Sequence, residues 1–187
     1  MLEEVVNSDR FYMELALRQA EKAYYADEVP VGAVIVGAHG AVVARAYNQT
    51  LKRQSPLAHA ELLAIARAAK KIGDWRLEGY TLYVTLEPCA LCMQAIMASR
   101  LSRVVYAAGS PLYGFSLDKY CSFDLYKMPL VLACGVCQDE AQAYMKQFFK
   151  TKRKRENPRE QGAGQISGSC KNKKRTSDPQ ARARRTA

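Results

Sequence analysis

A chain of 187 residues, 49% hydrophobic and 25% charged, is long enough to bury one core without disulfides and need not be split into several domains. It has no apolar run of membrane-spanning length, and Met1 to Asp9 are acidic and polar where a signal peptide needs a basic start and then an apolar stretch, so the expected location is cytoplasmic. The net charge of +10 is confined to the end: residues 150–187 hold 13 Lys and Arg against 3 acids, whereas residues 1–149 hold 15 of each.

In chain order, Ser8 or Asp9 is suited to cap a first helix running to about Tyr25, with Phe11, Tyr12, Leu15, Ala16, Ala20, Ala23 and Tyr24 on its apolar face. Pro30 stops it. Val31–Val36 and Ala41–Tyr47 are Val-rich runs around Gly37-Ala38-His39-Gly40, the pattern of a hairpin, which makes His39 an exposed turn residue. Ala58–Ile72 has strong helical composition and is closed by Gly73, with His59 and Glu61 in its first turn. Thr81–Leu86 is a strand, and Pro88 suits a helix start, so Ala90–Ser99 continues that helix with Cys89 and Cys92 near its N-terminus. Leu101–Ala107 and Leu130–Val136 are two more strands. A last helix begins near Asp139 and turns Ala141, Tyr144, Met145, Phe148 and Phe149 inward. Strand-helix-strand units after a hairpin imply a mixed α/β sheet of about five strands with helices on both faces.

Two of these helix starts carry the chemistry. His59-Ala60-Glu61 and Pro88-Cys89-Ala90-Leu91-Cys92 offer one imidazole and two thiolates, a ligand set for Zn²⁺ that leaves a fourth tetrahedral position open for water, as catalytic zinc requires. Glu61 is not needed as a ligand and is placed to move protons beside the metal. The partial positive charge at each helix N-terminus offsets a negative zinc-thiolate cluster and favours deprotonated thiols. A closed structural zinc would be expected to show a fourth Cys or His at ligand spacing. H-x-E paired with P-C-x-x-C is the known signature of zinc nucleobase deaminases.

Cys134-Gly-Val-Cys137 is a second C-x-x-C, without a histidine or another cysteine pair at ligand spacing. Buried small hydrophobes are the expectation there, as for Cys121 and Cys170. Glu87, directly before Pro88, is assigned a supporting role at the metal. Residues 157–187, rich in Gly, Ser, Gln, Lys and Arg, read as a basic tail that is disordered when free, set apart from a catalytic domain over residues 1–156. The tail is either a solvated appendage or a contact to nucleic acid.

Val29-Pro-Val-Gly-Ala-Val, Ala46-Tyr-Asn48, Ala58-His-Ala-Glu61, Thr81 through Cys92, and Ser99-Arg-Leu-Ser-Arg-Val-Val-Tyr106 resemble the bacterial tRNA-specific adenosine deaminases over roughly residues 9–153. The resemblance implies a three-layer α/β/α cytidine-deaminase-like fold and one Zn²⁺ per chain on His59, Cys89 and Cys92. It also implies a homodimer, and conversion of adenosine to inosine at the wobble position (34) of a tRNA anticodon stem-loop, with Glu61 catalytic. By position, Asn48, Val29, Leu86 and the backbone of Ala60 resemble the base pocket. Gly109-Ser-Pro-Leu-Tyr-Gly114 departs from the charged loop usual in that family. The zinc motifs alone also fit a small-molecule cytosine or guanine deaminase, or a non-catalytic zinc-bearing RNA-binding subunit, although the latter would not need Glu61.

Overall fold

The computed structural model describes residues 2–115 and 129–156. Helix α1 (Leu2–Tyr25) leads into the hairpin β1 (Gly32–Val36) and β2 (Val42–Tyr47). A single turn of helix, α2 (Thr50–Arg53), and α3 (Ala60–Ile72) follow, then β3 (Thr81–Leu86), α4 (Ala90–Ala98), β4 (Arg103–Ala108), β5 (Val131–Cys134) and α5 (Gln138–Glu156). The sheet order is β2-β1-β3-β4-β5. β1 is antiparallel to both β2 and β3, whereas β3, β4 and β5 run parallel, joined through α4 and the segment after β4. The expected mixed five-stranded α/β sheet is therefore present.

Helices cover both faces, which is why β1 is buried at all five positions and reads as an unbroken apolar run. Ala33, Ile35, Leu82, Val84 and Val104 meet Ala64, Ala68, Met93 and Ile96 of α3 and α4. Val34, Tyr83, Val105 and Ala107 meet Met13 and Ala16 of α1 and Ala141 of α5. Helix α1 lies so close to β1 that a Cβ at Gly32 would overlap the Ala16 carbonyl and the Ala20 amide, which leaves glycine as the residue this packing accepts.

Several expected details change. Helix α1 begins at Leu2, so Ser8 and Asp9 lie inside it and cap nothing. Asp9 is instead buried and binds Arg103 through two hydrogen bonds of 2.7 Å while accepting one of 2.8 Å from the Tyr83 hydroxyl. Burial pushes its carboxyl upward, but the Arg103 and Tyr83 hydrogen bonds outweigh this and hold its pKa below the ordinary value. The inner stripe of α1 is Asp9, Met13, Ala16, Ala20 and Ala23, and Phe11 is 57% exposed; aromatic residues on both sides of the stripe widened the apparent apolar face. The single turn α2 was not expected.

β5 is shorter than expected, and Cys134 is exposed rather than buried. Its thiol meets the Tyr106 hydroxyl, which belongs to the α3/α4 side, while Cys137 packs on the α1/α5 side. A pair split across the sheet in this way is not poised to share a metal or close a disulfide. Cys121, Cys170 and the 157–187 tail lie outside the described residues. No helix among the described residues is long and apolar enough to cross a membrane.

Candidate active site

The site forms beyond the C-terminal end of β3, where α3 and α4 both begin. His59 is the N-cap of α3 and Cys89 the N-cap of α4, each with extended backbone and neither using its side chain as a cap. N-cap side chains ordinarily turn back to bond their own helix; here they turn toward each other. This refines the expectation that His59 sits within the first turn. His59 Nδ1 lies 3.3 Å from Cys92 Sγ and 3.7 Å from Cys89 Sγ, and the three donor atoms all fall within 4.8 Å of one another. Zinc bond lengths of about 2.3 Å to sulfur and 2.0–2.1 Å to nitrogen, at a tetrahedral angle, place N and S about 3.5 Å apart. The residues fit zinc.

The electrostatics of the cluster favour an anion. Cys89 is lowered to about 4, first by the Cys92 thiol that donates to it and then, against burial, by His59. Cys92 is pushed far up by that same donation and by burial. Hydrogen bonding to Cys89 raises His59 despite partial burial. Glu61, the second residue of α3, is 5% exposed; burial raises its carboxyl above the usual carboxylate range although its backbone N–H, His59 and Cys92 act the other way.

A cavity of about 810 Å³ opens onto His59, Glu61 and Cys89. Val29, Asn48 and Leu86, which the resemblance assigns to a base pocket, are among the residues that line it. Ala60 does not: it is wholly buried as the first residue of α3, and its N–H is among the donors that a helix start leaves without an intrahelical partner.

Sequence reasoning missed what orients Asn48. Glu28 is 1% exposed, and its carboxylate accepts from Asn48 Nδ2 at 3.2 Å and from the Leu51 and Lys52 amides at 3.1 and 2.7 Å. It thereby caps α2 and fixes the Asn48 amide, whose Oδ1 accepts from Thr50 Oγ1 at 2.9 Å. The acid next to Val29 was the available signal, but its partners lie 20 or more residues on. Also missed was Tyr113, which lines the cavity together with Phe148, Phe149, Lys152 and Arg153 from the end of α5. At this end of α5 the exposed Asp27 carboxylate accepts from Lys152 Nζ at 2.8 Å and Arg155 Nη1 at 3.0 Å.

A family model for the cytidine and deoxycytidylate deaminase zinc-binding region matches residues 6–108. The chain is also 40% identical over 152 residues to the tRNA-specific adenosine deaminase of Bacillus subtilis (strain 168), an alignment that takes in 80% of this chain and 94% of that protein. It belongs to the tRNA-specific adenosine deaminase family. A solved structure from studies of A-to-I editing by tRNA:A34 deaminases at the wobble position of transfer RNA matches with TM-score 0.64 and 37% identity, over 72% of this chain and 98% of that one. A guanine deaminase structure from Bacillus subtilis matches less fully, with TM-score 0.53 and 32% identity over 64% of this chain and 81% of that one. The fold of this deaminase family member is thus the cytidine-deaminase-like α/β/α arrangement, and its His/Cys/Cys cluster lies in the zinc-binding region of the family.

Proposed function

We propose that this chain hydrolyses adenosine to inosine at position 34 of a tRNA anticodon, using one Zn²⁺ per chain on His59, Cys89 and Cys92 and Glu61 as proton carrier. The observation that carries the reading is one cavity lined by the buried Glu61 carboxylate and by His59 and Cys89 of the His/Cys/Cys cluster, with two cations, Lys152 and Arg153, also on its wall. Relatives across most of the chain support it. When bound, zinc lowers the pKa of water toward neutrality and so supplies a nucleophile. Glu61 takes the first proton that the water gives up, passes it to N1 of adenine as C6 is attacked, then takes the remaining proton from the hydroxyl on C6 and delivers it to the amine, so that the C6–N bond breaks, ammonia leaves and the C6 carbonyl forms. Asn48, fixed by Glu28 and Thr50, presents its remaining donor and acceptor capacity to the base or ribose; Val29 and Leu86 supply apolar walls, and the Ala60 N–H is a further donor. The target nucleotide must be splayed from a single-stranded loop, since a stacked base could not reach the buried carboxylate.

A homodimer in the cytoplasm completes the proposal. Exposed Leu51, Leu57 and Leu91, near the helix starts that build the site, are apolar surface of the kind a second copy covers, and thiolate ligands suit a reducing compartment. Residues 1–156 form the deaminase domain, with 157–187 as its basic tail. Incubation with an anticodon stem-loop bearing adenosine at position 34, read for inosine by reverse transcription, tests the function; guanine and cytosine serve as the competing substrates. Inosine in the stem-loop with poor turnover of the free bases is the expected result. Efficient release of ammonia from guanine, with no inosine formed, transfers the assignment to a small-molecule deaminase.

A further inference from the structure

Glu87 links β3 to Pro88 and Cys89, and its carboxylate is buried. It organises the Gly109–Gly114 loop. The Ser110 N–H donates to Glu87 Oε2 at 2.8 Å, and a Cβ on Gly114 would run into the same carboxylate, so the loop closes flat against it. Beyond the turn, the Phe115 N–H donates to the Pro88 carbonyl at 2.9 Å. Within the loop, Gly114 N–H donates to the Ser110 carbonyl at 3.1 Å and Tyr113 N–H to Ser110 Oγ at 3.3 Å. The loop is therefore fastened to the segment that bears a cluster thiol, and the position of its tip is tied to that of Cys89.

This frame presents Tyr113 at the cavity wall with 76% of its surface exposed. None of the six loop residues is charged, so the loop has no side-chain ion pair to offer a phosphate. An aromatic ring on a loop whose backbone is fastened is what it has, and Phe149, 43% exposed, lies on the same cavity with Lys152 and Arg153. Exposed rings interleaved with cations are how proteins hold the unstacked bases and backbone of single-stranded nucleic acid. We propose that Tyr113 is a specificity-determining residue whose ring stacks on a base neighbouring the adenosine under deamination. The proposal rests on the tRNA-editing reading above and adds where the neighbouring nucleotide is read.

The test compares the zinc-loaded full chain with Tyr113→Ala and Tyr113→Phe in single-turnover deamination of the anticodon stem-loop, intact or carrying an abasic site 5′ or 3′ of the target. Stacking of one base corresponds to about a 5- to 150-fold effect. Tyr113→Ala is expected to lose that factor on the intact stem-loop, and Tyr113→Phe to keep most of the activity. An abasic site on one side lowers the wild type to the level of Tyr113→Ala and lowers the variant no further. Unchanged activity in Tyr113→Ala overturns the proposal, as do losses from variant and abasic site that multiply. Loss of activity together with a shift of Tyr113→Ala from dimer to monomer in sedimentation overturns it in favour of an interface with a second copy. If the wild type forms no inosine in any stem-loop, the tRNA reading fails and this proposal falls with it, an outcome distinct from active wild type with indifferent Tyr113→Ala.

Discussion

Glu61 and His59 stand two positions apart at the start of one helix, yet they are assigned different tasks, and substitution separates them. Glu61→Ala is expected to keep its zinc, measured by metal analysis of the purified protein, while deamination falls by at least the 10²- to 10⁴-fold typical of losing a general acid/base. His59→Ala is expected to lose the metal and, because zinc binding is coupled to folding, stability as well. Loss of zinc from Glu61→Ala, or near-normal turnover, would contradict the division of labour. The clustering of His59, Cys89 and Cys92 was legible in the sequence because each half of the motif is a local pattern at a helix start. Glu28 and Tyr113 were not legible for the opposite reason. Glu28 has its effect on Asn48 and α2 across twenty residues or more, and Tyr113 joins the cavity through a loop fastened to Glu87 and Pro88, more than twenty residues earlier.

Among the elements, α1 is the one whose packing most constrains substitution. Replacement of Gly32 by alanine forces its methyl into the α1 backbone at Ala16 and Ala20, and backbone atoms do not yield as a flexible side chain would. A loss of about 3 kcal/mol or more in denaturant unfolding is expected, above the common range for overpacking. Asp9 ties the same helix to β3 and β4. Because its folded-state pKa lies below the ordinary 3.8, its contribution is present above that value and disappears as pH falls through the lower, folded-state pKa. Asp9→Asn, measured beside the wild type, should therefore show a stability deficit that is constant from neutral pH to about 5 and narrows below about 4. A deficit independent of pH would mean that the charge on Asp9 does not matter. Taking the difference between the two proteins cancels any loss of metal in acid. Element boundaries such as Thr81–Leu86 were readable because the strand is a short run of β-branched, aromatic and aliphatic residues set between Gly79 and Glu87-Pro88. The phase of α1 was not, since Phe11, Tyr12, Tyr24 and Tyr25 spread apolar character around most of the helix, and only the packing against β1 picks out Met13 and Ala16.

At the scale of the whole molecule, the charge asymmetry acquires a direction. Residues 150–156 carry five Lys and Arg against one acid, and residues 157–187 carry eight against two. The first group is mounted on α5, where Lys152 and Arg153 face the cavity, and Asp27 takes hydrogen bonds from Lys152 and Arg155. Those cations sit on a helix packed at the edge of the site, so they are suited to fix the orientation of an anticodon stem, whereas the distal group can add attraction without dictating geometry. The two contributions are separable through salt. Removing one Lys or Arg from a phosphate reduces the slope of log affinity against log salt by about 0.7 to 0.9. Deleting residues 157–187 is therefore expected to weaken tRNA binding at low salt and flatten its salt dependence. Zinc content, unfolding midpoint and the turnover of bound stem-loop should remain near those of the full chain, because the residues proposed to hold the metal and the base all precede residue 157. Equal slopes for the two proteins would make the distal tail a solvated appendage. A truncated protein that binds as before but turns over more slowly would instead place part of the tail in the catalytic arrangement itself.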